Sequence, residues 1–339
     1  DYVPTIVLSD QKSAKLDFEG IVAQPVRRAI VQAVYTGNST VVAESLTLDD
    51  GSFTITVPKP YPVWVRVLSQ TATSSAVKDA TSLSTCLGAQ WDIKVVDNTQ
   101  NNLTYAIQTK TIYKSRSDSI LLLAPTASQS ELFDSQKRSG GPFHILDVIL
   151  KEIDLVCEVN AATKFGSLVI GWSVDNTSAS PLRPEVGDIE STSFDKESVS
   201  ILILGQNGVE ADEYNPHVIA HEFGHFLEHR LFRSDGFSTY HSAGDVIDPR
   251  AAWSEGFGYA IAAIALKNSW NTDTRWDGSK TRIGSAIDIS QVPTAIADQS
   301  IYSETTVQYF LWTLTQLEKR TDRFFSVMGG GQKNTKGFS

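Results

Sequence analysis

The sequence predicts an α+β, multidomain chain: an N-terminal antiparallel β-sandwich, then a mainly helical domain that carries a small sheet. Three observations predict it. Residues 16–70 read as short alternating strands joined by turns; a helical apolar period begins after the Ser-Gly-Gly-Pro break at 139–142; and three longer helical patterns follow at 216–232, 250–268 and 304–319. A length of 339 residues accommodates two domains or three small ones, and 41% hydrophobic residues suffice for a sizeable core. The expected boundaries are 1–70 for the sandwich, 71–140 for a mixed β segment or an extension of it, and 141–339 for the helical domain.

In the first segment "KLDFEGIVA" and "RAIVQAVYT" alternate, and "YPVWVRVLS" closes the run. Between them "VVAESLTLDDGSFTITV" carries Asp49-Asp50-Gly51, a hairpin signal between alternating apolar runs. The pattern T-x-x-D-G-x-F-x-I-x-V-P over 47–58, followed by V-R-V at 65–67, resembles the transthyretin-like regulatory modules found beside carboxypeptidases. That resemblance implies an accessory or binding role; a generic sandwich without a site suits the same residues. Residues 71–140 are mixed, with strand-like runs such as "NLTYAIQT" and "SILLLAP". Beyond them Ile145, Val148, Ile149, Ile153 and Val156 stand at helical spacing. "SLVIGWSV" (167–174) and "SVSILILG" (198–205) read as strands around a loop rich in Pro, Ser, Asn and Asp. The second strand suits either a sheet edge that accepts a peptide as an added strand or a buried position.

The balance of 29 basic against 39 acidic residues, net −10, argues against nucleic acid as partner, since a phosphate backbone requires a basic face. No apolar run of about 18 residues is present, so no membrane-spanning helix is expected. "DYVPTIVLSD" lacks the charged and apolar regions of a signal peptide, which was either absent or removed. Cys86 and Cys157 form one disulfide in an oxidising compartment or stay as two thiols. A surface rich in Ser, Thr, Asn and Gln with only 20% charged residues leans toward an exported, secreted or cell-surface protein. "MGGGQKNTKGFS" reads as a glycine-rich loop leading into further chain.

The chemistry concentrates in "HVIAHEFGHFLEH", residues 217–229, where four of the chain's six histidines recur every fourth residue. That spacing stacks imidazoles along one stripe of a helix, a poor apolar face and a good metal site. Within it His221-Glu222-Phe223-Gly224-His225 is H-E-x-x-H: two histidines one turn apart present ring nitrogens to one tetrahedral Zn²⁺, and Glu222 is placed to take a proton from water. The extension H-E-x-x-H-x-x-G-x-x-H fails, because Glu228 and Leu231 stand where Gly and His are required. The other source of a third ligand is a downstream glutamate. Glu255 is the lone acid in "AAWSEGFGYAIAAIAL" (251–266), and a carboxylate there is costly to bury unless paired or metal-bound. Gly256 and Gly258 suit a close approach of backbone or ligand.

With these residues, over about 143–320 and most specifically 217–259, the chain resembles the gluzincins, zinc peptidases with H-E-x-x-H and a downstream Glu ligand. The fuller pattern resembles an exported bacterial group that joins such a domain to a carboxypeptidase-regulatory-like module. The resemblance implies His221, His225 and Glu255 as zinc ligands, Glu222 as general base, and a peptide or protein substrate. Tyr259 departs from the thermolysin-like pattern, which has an Asp there to orient a histidine, so Asp245 or Asp248 is expected to take that role. Gluzincins supply a donor for the tetrahedral intermediate from Tyr or His outside the motif; here the candidates are Tyr302 and His241, with Tyr240 beside the latter. Arg250 pairs with Asp245 or Asp248, or holds a substrate carboxylate. A competing motif shares His225: His225-Phe226-Leu227-Glu228-His229 is H-x-x-E-H, the inverted zinc-peptidase pattern. The spacing to Glu255 favours the first motif, leaving His217 and His229 outside the ligand set. Two other readings stand beside the peptidase: a binding or adhesion protein that keeps a structural zinc, against which the intact Glu222 argues, and a zinc hydrolase of non-peptide substrates.

Overall fold

A computed structural model describes residues 1–10, 13–57, 62–73, 86–110, 120–124, 138–206, 210–235, 245–274, 284–295, 299–318 and 325. In chain order the elements are β1 (Tyr2–Asp10), β2 (Ser13–Ala23), β3 (Ile30–Tyr35), β4 (Val41–Leu46), β5 (Val63–Leu68), β6 (Gln70–Ala72), β7 (Gln90–Asp97), β8 (Leu103–Thr104), β9 (Ala106–Gln108), α1 (Gly140–Val159), β10 (Lys164–Trp172), β11 (Ser193–Asp195), β12 (Ser200–Ile203), α2 (Pro216–Leu231), α3 (Pro249–Leu266), β13 (Trp270–Asp273), β14 (Gly284–Asp288) and α4 (Glu304–Glu318). The class is α+β. No described helix is long and apolar enough to cross a membrane.

The strands form three sheets among the described residues. One is antiparallel, in the order β4-β3-β5-β9; a second, also antiparallel, is β1-β2-β14-β13; the third is mixed, β11-β12-β10-β7-β6, with β8 on β7. In the mixed sheet β10 runs parallel to both β7 and β12, and β11 closes one edge antiparallel to β12. The main core lies between this sheet and the helices. Ile93 and Val95 of β7, Leu168 and Ile170 of β10, and Ile201 and Ile203 of β12 alternate inward, as a half-buried strand requires. They meet Ile145, Val148, Ile149, Ile153 and Val156 of α1, all fully buried, with Phe223 and Phe226 of α2 and Phe257 of α3.

Two expectations about the first 70 residues need correction. Among the described residues, 1–70 do not enclose a sandwich of their own: β2, with β1 on its other side, pairs with β14 from far along the chain, and only β3, β4 and β5 stay together, joined by β9 from 106–108. Burial explains both attachments. Val3 and Leu16 pack on Ala211 and Tyr214 just before α2, while Val31, Val65 and Val67 pack on Phe143 of α1. The second contact is reinforced by buried Arg28, whose Nε donates to Asp49 Oδ1 at 2.7 Å and whose Nη1 donates to Asp154 Oδ1 at 2.5 Å. The Asp-Gly turn forms, with Gly51 at φ +78° and Leu48 N donating to Ser52 O at 2.7 Å. Its returning leg, 52–57, is not a strand, although Phe53 and Ile55 still pack on the β3–β5 face. β12, the "SILI" strand, is interior and not an edge; β11 takes the edge. Cys86 and Cys157 are joined as a disulfide that ties the segment before β7 to α1.

Candidate metal centre

The start of α2 is fixed by a buried polar knot. Arg138, fully buried, donates from Nε to Glu213 Oε1 at 2.8 Å and from Nη1 to Gly205 O at 2.6 Å; Trp172 Nε1 reaches Glu213 Oε2 at 3.2 Å. Burial pushes the Glu213 carboxyl up against the opposing pull of the Arg138 guanidinium. Pro216 then occupies the first turn of α2, where its missing N–H costs nothing. α3 starts equally firmly, with Asp248 as N-cap accepting from Arg250 N at 2.9 Å and Pro249 in the first turn.

These two helices cross where both lack a side chain. A Cβ on Gly224 would lie 3.1 Å from Gly258 Cα and 2.8 Å from Ile261 Cγ2, and one on Gly258 would lie 2.8 Å from His221 Nδ1. The crossing brings Glu255 over the H-E-x-x-H face. His225 Nε2 stands 3.0 Å from His221 Nε2, and Glu255 Oε2 stands 3.2 Å from His221 Nε2 and 3.5 Å from His225 Nε2. Ligands at the usual zinc distances of about 2.0–2.1 Å, placed tetrahedrally, lie roughly 3.3 Å from one another. The three separations bracket that edge, and two imidazoles with one carboxylate are a donor set suited to Zn²⁺. Among the described residues this trio is the one cluster able to hold a metal ion, with its ligand atoms all within 4.8 Å of one another.

The electrostatics favour positive charge there. Burial alone would lower the His225 pKa, but the Glu255 carboxylate, with Glu222 and Glu228 beyond, raises it to about 9. Burial pushes Glu222 up; the two histidines pull it down and Glu255 adds to the rise. Its Oε2 accepts from Phe194 N of the edge strand β11 at 2.8 Å.

His221, His225, Glu222 and Glu255 thus come together as a unit. The other candidates stand differently. Among the described residues Tyr302, on the turn before α4, is 47% exposed and its side chain makes no hydrogen bond to the four. His241 and Tyr240 lie outside the described residues. Asp248 is occupied with its cap and its ion pair to Arg250 (Nε–Oδ1 2.9 Å), so it does not orient a histidine, and Asp245 is exposed. His217 is buried against Thr272 Oγ1 (3.1 Å) and Asn268 O (3.4 Å). The inverted motif is not assembled either: the His229 ring lies against Phe194, 5.8 Å between centroids, and Glu228 Oε2 accepts from Ser254 Oγ at 2.5 Å.

Sequence reasoning missed what supports the histidines. Ser254 Oγ lies 3.3 Å from His225 Nδ1, and its place directly before Glu255 was the available signal. Tyr259, noted only as a departure, lays its ring on His221 with centroids 4.3 Å apart. Neither a protein-family model nor a curated protein sequence matches this chain.

Proposed function

We propose that this chain is a zinc-dependent peptidase, with His221, His225 and Glu255 holding the metal and Glu222 as general base. The observation that carries the reading is the convergence of these three donors beside the carboxylate of Glu222, which is not one of them. Zn²⁺ held there supplies a Lewis acid that polarises a carbonyl and eases deprotonation of water. Glu222 takes that proton and delivers it to the leaving amine; burial raises its proton affinity, the direction a group that must both accept and return a proton requires. Phe194 N–H fixes the orientation of the Glu222 carboxylate and places the β11 edge beside it, where an extended peptide can add as a strand. Of the two proposed donors to the oxyanion, Tyr302 would have to turn inward from its exposed position, and His241 lies outside the described residues.

A catalytic site is favoured over a structural one because His217 and His229, the nearest further imidazoles on the stripe, meet other groups, so that among the described residues the candidate ligand set is three. The Cys86–Cys157 disulfide supports an exported protein, since such bonds persist in oxidising compartments. The β3–β4–β5–β9 sheet is the part that retains the proposed regulatory-like module.

The test is Glu222→Gln. Hydrolysis of a peptide library is expected to fall by about 10²–10⁴-fold with one zinc per chain retained. A wild-type chain without zinc, or a glutamine variant as active as wild type, overturns the reading.

A further inference from the structure

We infer that Glu228, acting through Ser254, is the positioning residue that fixes His225 as a metal ligand, an inference that rests on the proposed zinc site. Three atoms carry it: Glu228 Oε2, Ser254 Oγ at 2.5 Å, and His225 Nδ1 at 3.3 Å from that hydroxyl. The chain of hydrogen bonds takes its direction from Ser254 Oγ donating to Glu228 Oε2. Burial pushes the Glu228 carboxyl up and the Ser254 hydroxyl opposes that rise; in the ionised form the single serine proton lies between the two close oxygens. The lone pairs of Ser254 Oγ then accept from His225 Nδ1–H. With the proton on Nδ1, the Nε2 lone pair is free and points at His221 Nε2 and Glu255 Oε2. The tautomer required of a ligand is thus selected from two residues away.

Glu228 is only 2% exposed, and a carboxylate taken out of water needs a partner. The partner it has is the hydroxyl adjoining the third ligand, so one turn of α3 delivers both Glu255 and the tether of His225. The second acid of the histidine stripe, which spelled H-x-x-E-H, acquires a role that neither zinc motif assigns. His221 has no such device among the described residues: its buried Nδ1 meets no hydrogen-bond partner there.

The test measures zinc affinity of the full chain by competition with a chromogenic chelator, alongside the proton spectrum of the zinc-loaded protein in the imidazole N–H region. Ser254→Ala is expected to bind zinc about 10–100-fold more weakly and to lose one slowly exchanging Nδ1–H resonance. Ser254→Thr, which keeps the hydroxyl, is expected to restore both. Glu228→Gln, of the same shape, is expected to weaken binding about tenfold and shift that resonance, with its melting transition confirming the fold. Affinity and resonance unchanged in Ser254→Ala would overturn the relay and leave the peptidase reading standing. A wild-type chain that takes up no zinc overturns both.

Discussion

His221 and His225 present their Nε2 atoms to the same point from one face of α2, yet the rest of each ring is held by different physics. His225 is bonded: its Nδ1 meets Ser254, which is tied to Glu228. His221 is packed: its Nδ1 has no partner among the described residues, Gly258 lies under it where a Cβ would come within 2.8 Å, and the Tyr259 ring covers it. The difference teaches that one candidate metal site can draw on two kinds of preorganisation. A bonded ligand is sensitive to the loss of a single hydroxyl, and a packed ligand is sensitive to the gain of a single methyl.

Gly258→Ala breaks the packed half and carries the largest expected effect of the changes that leave His221, His225, Glu222 and Glu255 in place. The added Cβ meets the ring of His221, while the tight crossing against Gly224 restrains the backbone, so the ring is the part that moves. A displacement of about 1 Å costs on the order of 10²-fold in rate, and zinc affinity falls with it. Chelator competition and peptide hydrolysis check this. Wild-type values for both would show that the packing does not hold the ligand.

A third histidine sharpens the comparison by removing the carboxylates from it. His217, one turn before His221, is as buried as its neighbours but faces a threonine and a carbonyl, and burial lowers its pKa from the ordinary 6.5 to about 4. His225, ringed by acids, is raised to about 9 instead. For a histidine lowered in the folded state the unfolded chain binds the proton first. The contribution of His217 to stability is therefore present above pH 6.5 and lost as pH falls from 6.5 to about 4, amounting to about 3 kcal/mol across that window. His225 of the metal-free chain is charged in both states below pH 6.5 and adds no slope there. Urea unfolding of metal-free wild type and His217→Gln at pH 7, 5.5 and 4 measures the difference. Equal slopes in the two proteins would refute the burial account.

The packed and bonded halves were unequally legible in the sequence. The clustering of His221, His225 and Glu255 was legible because its pattern is local: spacing of four along one helix, and a lone acid in an apolar one. The four described helices and the five buried positions of α1 were legible for the same reason, since a period of 3.6 is written in neighbouring residues. Sheet partnership was not. β2 joins β14 across more than half the chain, and nothing in "KLDFEGIVA" names that partner. The leg 52–57 alternates as a strand should but forms none, so pattern alone did not supply a neighbour to pair with. Ser254 and Glu228 are single polar residues whose roles exist only where α2 and α3 cross, a juxtaposition no spacing along either helix encodes.

The smallest effect is expected at Tyr259, and it isolates the ring from its hydroxyl. If His221 is held by packing, the aromatic face matters and the phenol oxygen does not. Tyr259→Phe keeps the 4.3 Å ring contact and is expected to change zinc affinity by less than about twofold. Tyr259→Leu removes the face and forfeits an aromatic contact of about 0.5–1.5 kcal/mol, which corresponds to a loss of about 2–12-fold in affinity. Burial raises the Tyr259 hydroxyl pKa, with the nearby acids Glu304 and Glu255 adding to it, so the group stays protonated at working pH and neither variant alters the charge of the site. A larger loss in Tyr259→Phe than in Tyr259→Leu would place a hydrogen bond where packing is argued, and His221 would then belong with His225 among the bonded ligands.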